Sequence, residues 1–144
     1  MVSDVRAKPA AVAAATLAAA SLAIALAACS GGAGPTPLPE VRITTEAAPS
    51  NACMEALITG VLVPHGAWGL ALQAPGNGEL SRPMFPFGYR ALLEGDRVVL
   101  IDEDGRVVAR SADLIQSSGG SIGREGNPLV VLCDDTIVVV NAGG

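Results

Sequence analysis

The chain is poor in the residues that most enzyme sites are built from. It has one histidine, His65, and one lysine, Lys8, so every later cation is an arginine. A single imidazole leaves no His pair for a metal and a poor start for acid–base relays. Aromatic residues are scarce too: one Trp, one Tyr and two Phe among 144 residues. No basic stripe is present to follow a phosphate backbone, so nucleic acid is not an expected partner. The whole chain carries −5; setting aside Arg6, Lys8 and Asp4 with the first 28 residues removes one net positive charge and leaves −6. No phosphate-binding glycine loop, catalytic lysine or Cys/His dyad is found, and no cofactor is expected.

Polarity is also missing from one long stretch. Ala10 to Ala28 holds no charge, and its only polar residues are Thr16 and Ser21. Its length is near that of a membrane-spanning helix, but alanine gives little transfer energy. A weakly positive segment with Arg6 and Lys8 precedes it, and Leu26-Ala27-Ala28-Cys29 ends it. This pattern of an aliphatic residue, two small residues and a cysteine resembles the lipobox of bacterial lipoproteins. The resemblance implies cleavage between Ala28 and Cys29 and acyl chains, palmitate among them, on Cys29. It implies a lipid-anchored protein on the extracytoplasmic face of the cell membrane. Several chains together anchor firmly where one would be marginal. Ser30, rather than Asp, follows the cysteine, which in two-membrane bacteria implies no retention at the inner membrane. An uncleaved anchor and an ordinary secretory signal cut at an Ala-x-Ala site are the alternatives.

Residues 29–51 read as the lipidated cysteine and a tether. Ser30 to Gly34 is Gly/Ser-rich, and Pro35, Pro37, Pro39 and Pro49 follow. Such composition buries too little to order itself. Over some twenty residues it would span about 25 Å as coil or about 60 Å as polyproline II, holding a domain clear of the headgroups. Val41 to Thr45 alternates and could add an edge strand.

Residues 52–141 read as one small all-β domain, with 142–144 as a tail. Strands are expected over Ala56–Val63, Trp68–Gln73, Tyr89–Leu93, Arg97–Asp102, Arg106–Arg110, Leu114–Gln116, Leu129–Cys133 and Thr136–Val140. Glu103-Asp104-Gly105 is a strong hairpin signal, and Asp134-Asp135 suggests another. Val98, Leu100, Val107 and Ala109 should face the core, with Val99, Ile101 and Val108 opposite. Short strands at about ten-residue spacing favour a small OB-like or SH3-like barrel, with a β-sandwich as the alternative. Beyond Leu26–Cys29 the chain resembles small bacterial lipoproteins with an uncharacterised β-barrel domain, a likeness of pattern that implies no activity.

With Cys29 taken by lipid, Cys53 and Cys133 remain, an even pair in an exported protein and so an expected disulfide. Gly119-Gly120-Ser121-Ile122-Gly123 matches the G-x-S-x-G string of serine hydrolases. No helix pattern follows it and His65 precedes it, so it reads as a flexible loop. The acidic tips at Asp102–Asp104 and Asp134–Asp135 read as solvated turns, without the ligand period of a calcium loop. His65 reads as a loop residue. One constellation is left: Trp68, Phe85, Phe87 and Tyr89, with Arg82 and Arg90 nearby. Phe85, Phe87 and Tyr89 alternate and would share one face of an extended segment. They would form either a core plug or a face for sugars, peptides or lipids. The sequence therefore points to a non-catalytic binding or assembly module of the cell envelope, with an unknown ligand or envelope protein as partner. A structural lipoprotein that spaces or stabilises a complex is the alternative.

Overall fold

The computed structural model describes residues 34–123 and 128–140. The Leu26–Cys29 motif, the leader 1–28 and the tail 142–144 lie outside the described residues. A compact unit begins at Pro37, and its described residues contain strands and turns but no helix.

The strands are β1 (Glu40–Val41), β2 (Thr44–Thr45), β3 (Ala56–His65), β4 (Gly69–Gln73), β5 (Leu80–Phe85), β6 (Arg90–Glu94), β7 (Arg97–Ile101), β8 (Val107–Arg110), β9 (Leu114–Ile122), β10 (Leu129–Leu132) and β11 (Val138–Val139). Five of them close on themselves in the order β3-β4-β5-β10-β9 and back to β3. The β5–β10 contact is parallel and the other four ladders are antiparallel. This is a closed OB-like barrel, in which closure removes the edges that short apolar strands would expose.

Between β5 and β9 the chain inserts the meander β6-β7-β8, and β1 adds a fourth strand to it. Ala91, Val98, Leu100 and Ala109 from the meander pack into one core with Leu62, Leu70, Leu72, Phe85, Ile115, Val130 and Leu132 of the barrel. The other meander face buries Val99 and Ile101 as well, which explains why β7 reads as continuously apolar. The β7–β8 hairpin forms at Asp104-Gly105, and Gly105 adopts φ 81°, a conformation that glycine enters without steric penalty. Its register breaks between Leu100 and Ile101: Leu100 faces Ala109 but Ile101 faces Val107. This bulge at Val108 reverses the expected parity. Val107 is exposed rather than inward, and Val108 packs against the core.

Four further expectations need correction. The chain from Pro37 to Glu46 is not all tether. Its β1 pairs with β6 and its β2 runs parallel to β5. Leu93 N donates to Pro39 O (2.8 Å) and Glu46 N donates to Phe85 O (2.9 Å). β5 is a strand that the sequence hides, because Pro83 interrupts the pattern. On one edge β5 meets β4 only through Leu80 and Ser81, then β2 from Met84 onward, so Pro83 lies between two ladders. A missing N–H is tolerated there.

The Gly119–Gly123 stretch is not a loop, because β9 runs through Ile122. Gly119 lies where β9 and β10 approach closely: a Cβ would collide with the Val131 carbonyl oxygen. Finally, Asp134-Asp135 is not a hairpin tip. β10 and β11 pair with successive parts of β9 and not with each other. The chain kinks at Asp135 (φ 56°) and continues along β9, a conformation that Asp tolerates better than most residues. Thr136 braces the kink: its Oγ1 accepts from Ser118 N (3.1 Å) and donates to Cys133 O (2.9 Å).

Candidate functional site

The β3–β4 turn, Gly66 to Trp68, is built around the single histidine. His65 Nδ1 accepts from both Ala67 N and Trp68 N, each at 3.3 Å. Accepting at Nδ1 leaves the neutral ring its proton on Nε2. The imidazole also stacks on Trp68, with centroids 4.1 Å apart and planes 20° from parallel. The turn closes at Gly69, whose φ is 73°. Any Cβ there would collide with the Arg42 carbonyl oxygen, so the turn lies directly against the N-terminal arm.

Two surface clefts share Val41 and Arg42 of that arm. One, of about 520 Å³, is lined by Pro64, His65, Gly66, Ala67, Gly69 and Val98 as well. The other, of about 350 Å³, adds Glu40, Ile43, Thr45, Tyr89 and Arg90. Both are open, and their sizes suit part of a small ligand or a peptide segment. Arg42 and Arg90 are exposed and Trp68 is half-buried; Arg42 and His65, which stacks on Trp68, line the larger cleft.

The aromatic constellation is split between core and surface. Phe85 is fully buried at the end of β5, and Tyr89 is 6% exposed. Phe87 is 37% exposed, on the turn between β5 and β6. The alternation that would align them is broken by this turn, where Gly88 has φ 81°. Trp68 sits with His65 at the β3–β4 turn. The four aromatics therefore do not form one binding face. Arg82 is also occupied: Nε and Nη2 both donate to Thr44 Oγ1, at 3.0 and 2.9 Å, fastening the arm to β5. Arg90 remains at the rim of the smaller cleft.

Tyr89 is held by its hydroxyl, which donates to Asp134 Oδ1 (3.1 Å). Burial, then that hydrogen bond and the negative charge of Asp134, Asp102 and Asp135, push its phenol well above the usual range. The acidic tips serve the fold. Asp102 Oδ1 accepts from Arg106 N (2.8 Å) and Asp104 pairs with the Arg106 guanidinium (2.8 Å). Among the described residues, no three His, Cys, Asp or Glu side chains converge as a metal-binding group.

Cys53 and Cys133 are disulfide-bonded, with Cα atoms 5.6 Å apart and a sequence separation of 80. The bridge ties the segment before β3 to the end of β10. An acidic cleft of about 270 Å³ lies over it, lined by Glu46, Asp134 and Asp135 among others. Ser121 of the G-x-S-x-G string is exposed on β9 and pairs in register with Val130. It therefore lacks the strand-to-helix turn that would activate a nucleophile. The arm's contribution to both larger clefts had one sequence signal, the alternation of Val41 to Thr45. No protein family matches this chain, and no curated protein and no solved structure shows significant similarity to it.

Proposed function

We propose that this protein is an extracytoplasmic lipoprotein, anchored through acyl chains on Cys29, whose barrel is a non-catalytic binding or assembly module. The anchor reading is supported by Leu26-Ala27-Ala28-Cys29 after a charged and then apolar leader. The disulfide closing 80 residues supports an oxidising, exported location. The observation that carries the binding reading is the larger cleft, lined by Arg42 and by His65, which stacks on Trp68. A half-exposed aromatic pair beside an arginine offers stacking and charge-assisted contact to a peptide or a sugar.

The alternative, a lipoprotein that spaces or stabilises an envelope complex, draws support from Phe85 and Tyr89. These are spent on the core.

Changing Cys29 to Ala should block lipidation and leave an unprocessed precursor. Wild-type migration and detergent partitioning of that variant would refute the anchor. For the binding reading, a photo-crosslinking residue at Ala67, on the cleft wall, should give a discrete adduct in intact cells. An adduct only from an exposed position that does not line the cleft, for example Val138 on β11, would favour the structural reading.

A further inference from the structure

We infer that the ligand of the two clefts on the arm is an acidic peptide segment, its carboxylates held by Arg42 and Arg90. This deepens the binding reading proposed above and rests on it. Twelve carboxylates and six arginines stand among the described residues, so the domain is acidic. Three of the arginines are already engaged. Arg106 pairs with Asp104 at 2.8 Å, Arg110 pairs with Glu94 at 3.8 Å, and Arg82 donates to Thr44 Oγ1. Arg42, Arg90 and Arg97 have no ion-pair partner among the described residues. Two of those three line the same cleft, of about 350 Å³. Arg42 lines the larger cleft as well.

The carboxylates are distributed the other way. None lines the larger cleft, and Glu40 alone lines the smaller one. The clefts over the disulfide and beside Phe87 hold three each. An arginine in a cleft without a carboxylate partner carries an unmet charge. Its rigid fork matches a carboxylate in two parallel hydrogen bonds. His65 adds a donor to the larger cleft: Nδ1 accepts from Ala67 N and Trp68 N, so the ring proton is on Nε2. The walls between these charges are aliphatic. Val41 and Ile43 line the smaller cleft, and Val41, Pro64, Ala67 and Val98 line the larger. Neither lining holds an Asn, Gln or Asp side chain to bond sugar hydroxyls. Aliphatic walls with guanidinium groups suit a peptide in which acidic and aliphatic residues alternate, and arginine clusters are a general means of reading acidic motifs.

The test titrates the full chain, in detergent, into fluorescein-labelled pools of heptapeptides that alternate glutamate with varied aliphatic residues, read by anisotropy. Matched pools carry glutamine in place of glutamate, and a galacturonate trimer serves as competitor. The glutamate pool should bind about tenfold more tightly than the glutamine pool, and about 0.5 M salt should remove most of that margin. Arg42→Gln and Arg90→Gln should each weaken binding about fivefold. Their thermal midpoints should stay as in the wild type, because neither side chain makes a hydrogen bond or ion pair among the described residues. Arg97 is exposed and lines neither cleft, so Arg97→Gln should bind as the wild type does. Equal weakening by all three changes would show diffuse charge attraction and overturn the inference. Equal binding of the two pools would overturn the acidic ligand, and displacement of the peptides by the galacturonate trimer would overturn the peptide. If neither pool binds, the acidic peptide is wrong. The cleft reading then survives only if crosslinking at Ala67 still gives its adduct in cells; without that adduct both fall.

Discussion

Replacing Gly119 by Ala adds one methyl group at the seam of the barrel, and its effect can be worked out from the neighbours. The new Cβ would collide with the backbone carbonyl oxygen of Val131. No rotamer change relieves a clash with backbone, so β10 must retreat from β9. It is held on its other edge by β5, and the disulfide at Cys133 limits its travel. Retreat strains the Leu132–Gly119 pairing and the bond from Cys133 N to Ser118 O (3.0 Å). Two such bonds are worth about 1 kcal/mol each, and burying their groups unpaired adds about 1–3 kcal/mol. Ala gains about 0.5–1 kcal/mol over Gly from the stiffer unfolded chain. The net loss is about 3 kcal/mol, or about 12 °C or more in midpoint for a domain of this size. Gly120→Ala is the control. Its Cβ would meet the Met54 side chain, which is flexible and can swing away, so the loss should stay within about 1 kcal/mol. Urea unfolding of both variants, followed by Trp68 emission, gives the comparison. Equal and small losses would show that β9 and β10 are not in close contact at Gly119, and the barrel as described would be wrong.

Three other outcomes are expected. Reducing the Cys53–Cys133 bridge should lower stability by about 4–5 kcal/mol in the chain-entropy picture, and thiol titration before reduction should find neither cysteine reactive. Tyr89 is the only tyrosine, so absorbance at the phenolate band reads it alone. Its phenol is raised in the fold, so the unfolded chain ionises first, and stability should fall progressively above about pH 10. Tyr89→Phe should remove that alkaline loss; an unchanged pH profile would contradict the raised phenol that burial and the Asp134 contact produce. Gly105→Val should destabilise by about 1–3 kcal/mol because only its φ is strained, in open space, whereas Glu103→Ala should be nearly neutral in the same denaturation assay.

What the sequence discloses follows from how local each cause is. The Asp104-Gly105 turn is local chemistry, and its hairpin forms where expected. The bulge at Val108 is set by packing across the meander, so the inward placement of Val107 fails. The Cys53–Cys133 pair is legible by counting, since setting Cys29 aside leaves just these two cysteines. The arm is much less legible: β1 and β2 have two residues each, and their partners lie about forty to fifty residues later. Nothing near Glu40 or Thr44 reports those contacts beyond a brief alternation. Gly119 and Gly120 read as loop because glycine usually marks freedom. Here they mark close approach, which only the facing strand reveals. The aromatic face fails for a similar reason. Alternation at Phe85, Phe87 and Tyr89 implies one face only if the chain stays extended, and Pro86 to Gly88 turns it. As a result, the clefts on Arg42 are made by an arm and a turn that the sequence assigns to separate regions.

The arm is therefore the part on which most depends, because it fastens the barrel and walls both larger clefts. Amide hydrogen exchange tests it most directly, at Glu46 N and Leu93 N. Both amides are hydrogen-bonded between arm and barrel, at 2.9 and 2.8 Å. The account predicts protection at both within reach of that at Leu62 N in the barrel core. Exchange at the rate of an open peptide would contradict it: the domain would then begin near Ala52, and both clefts would lose the wall that the arm supplies.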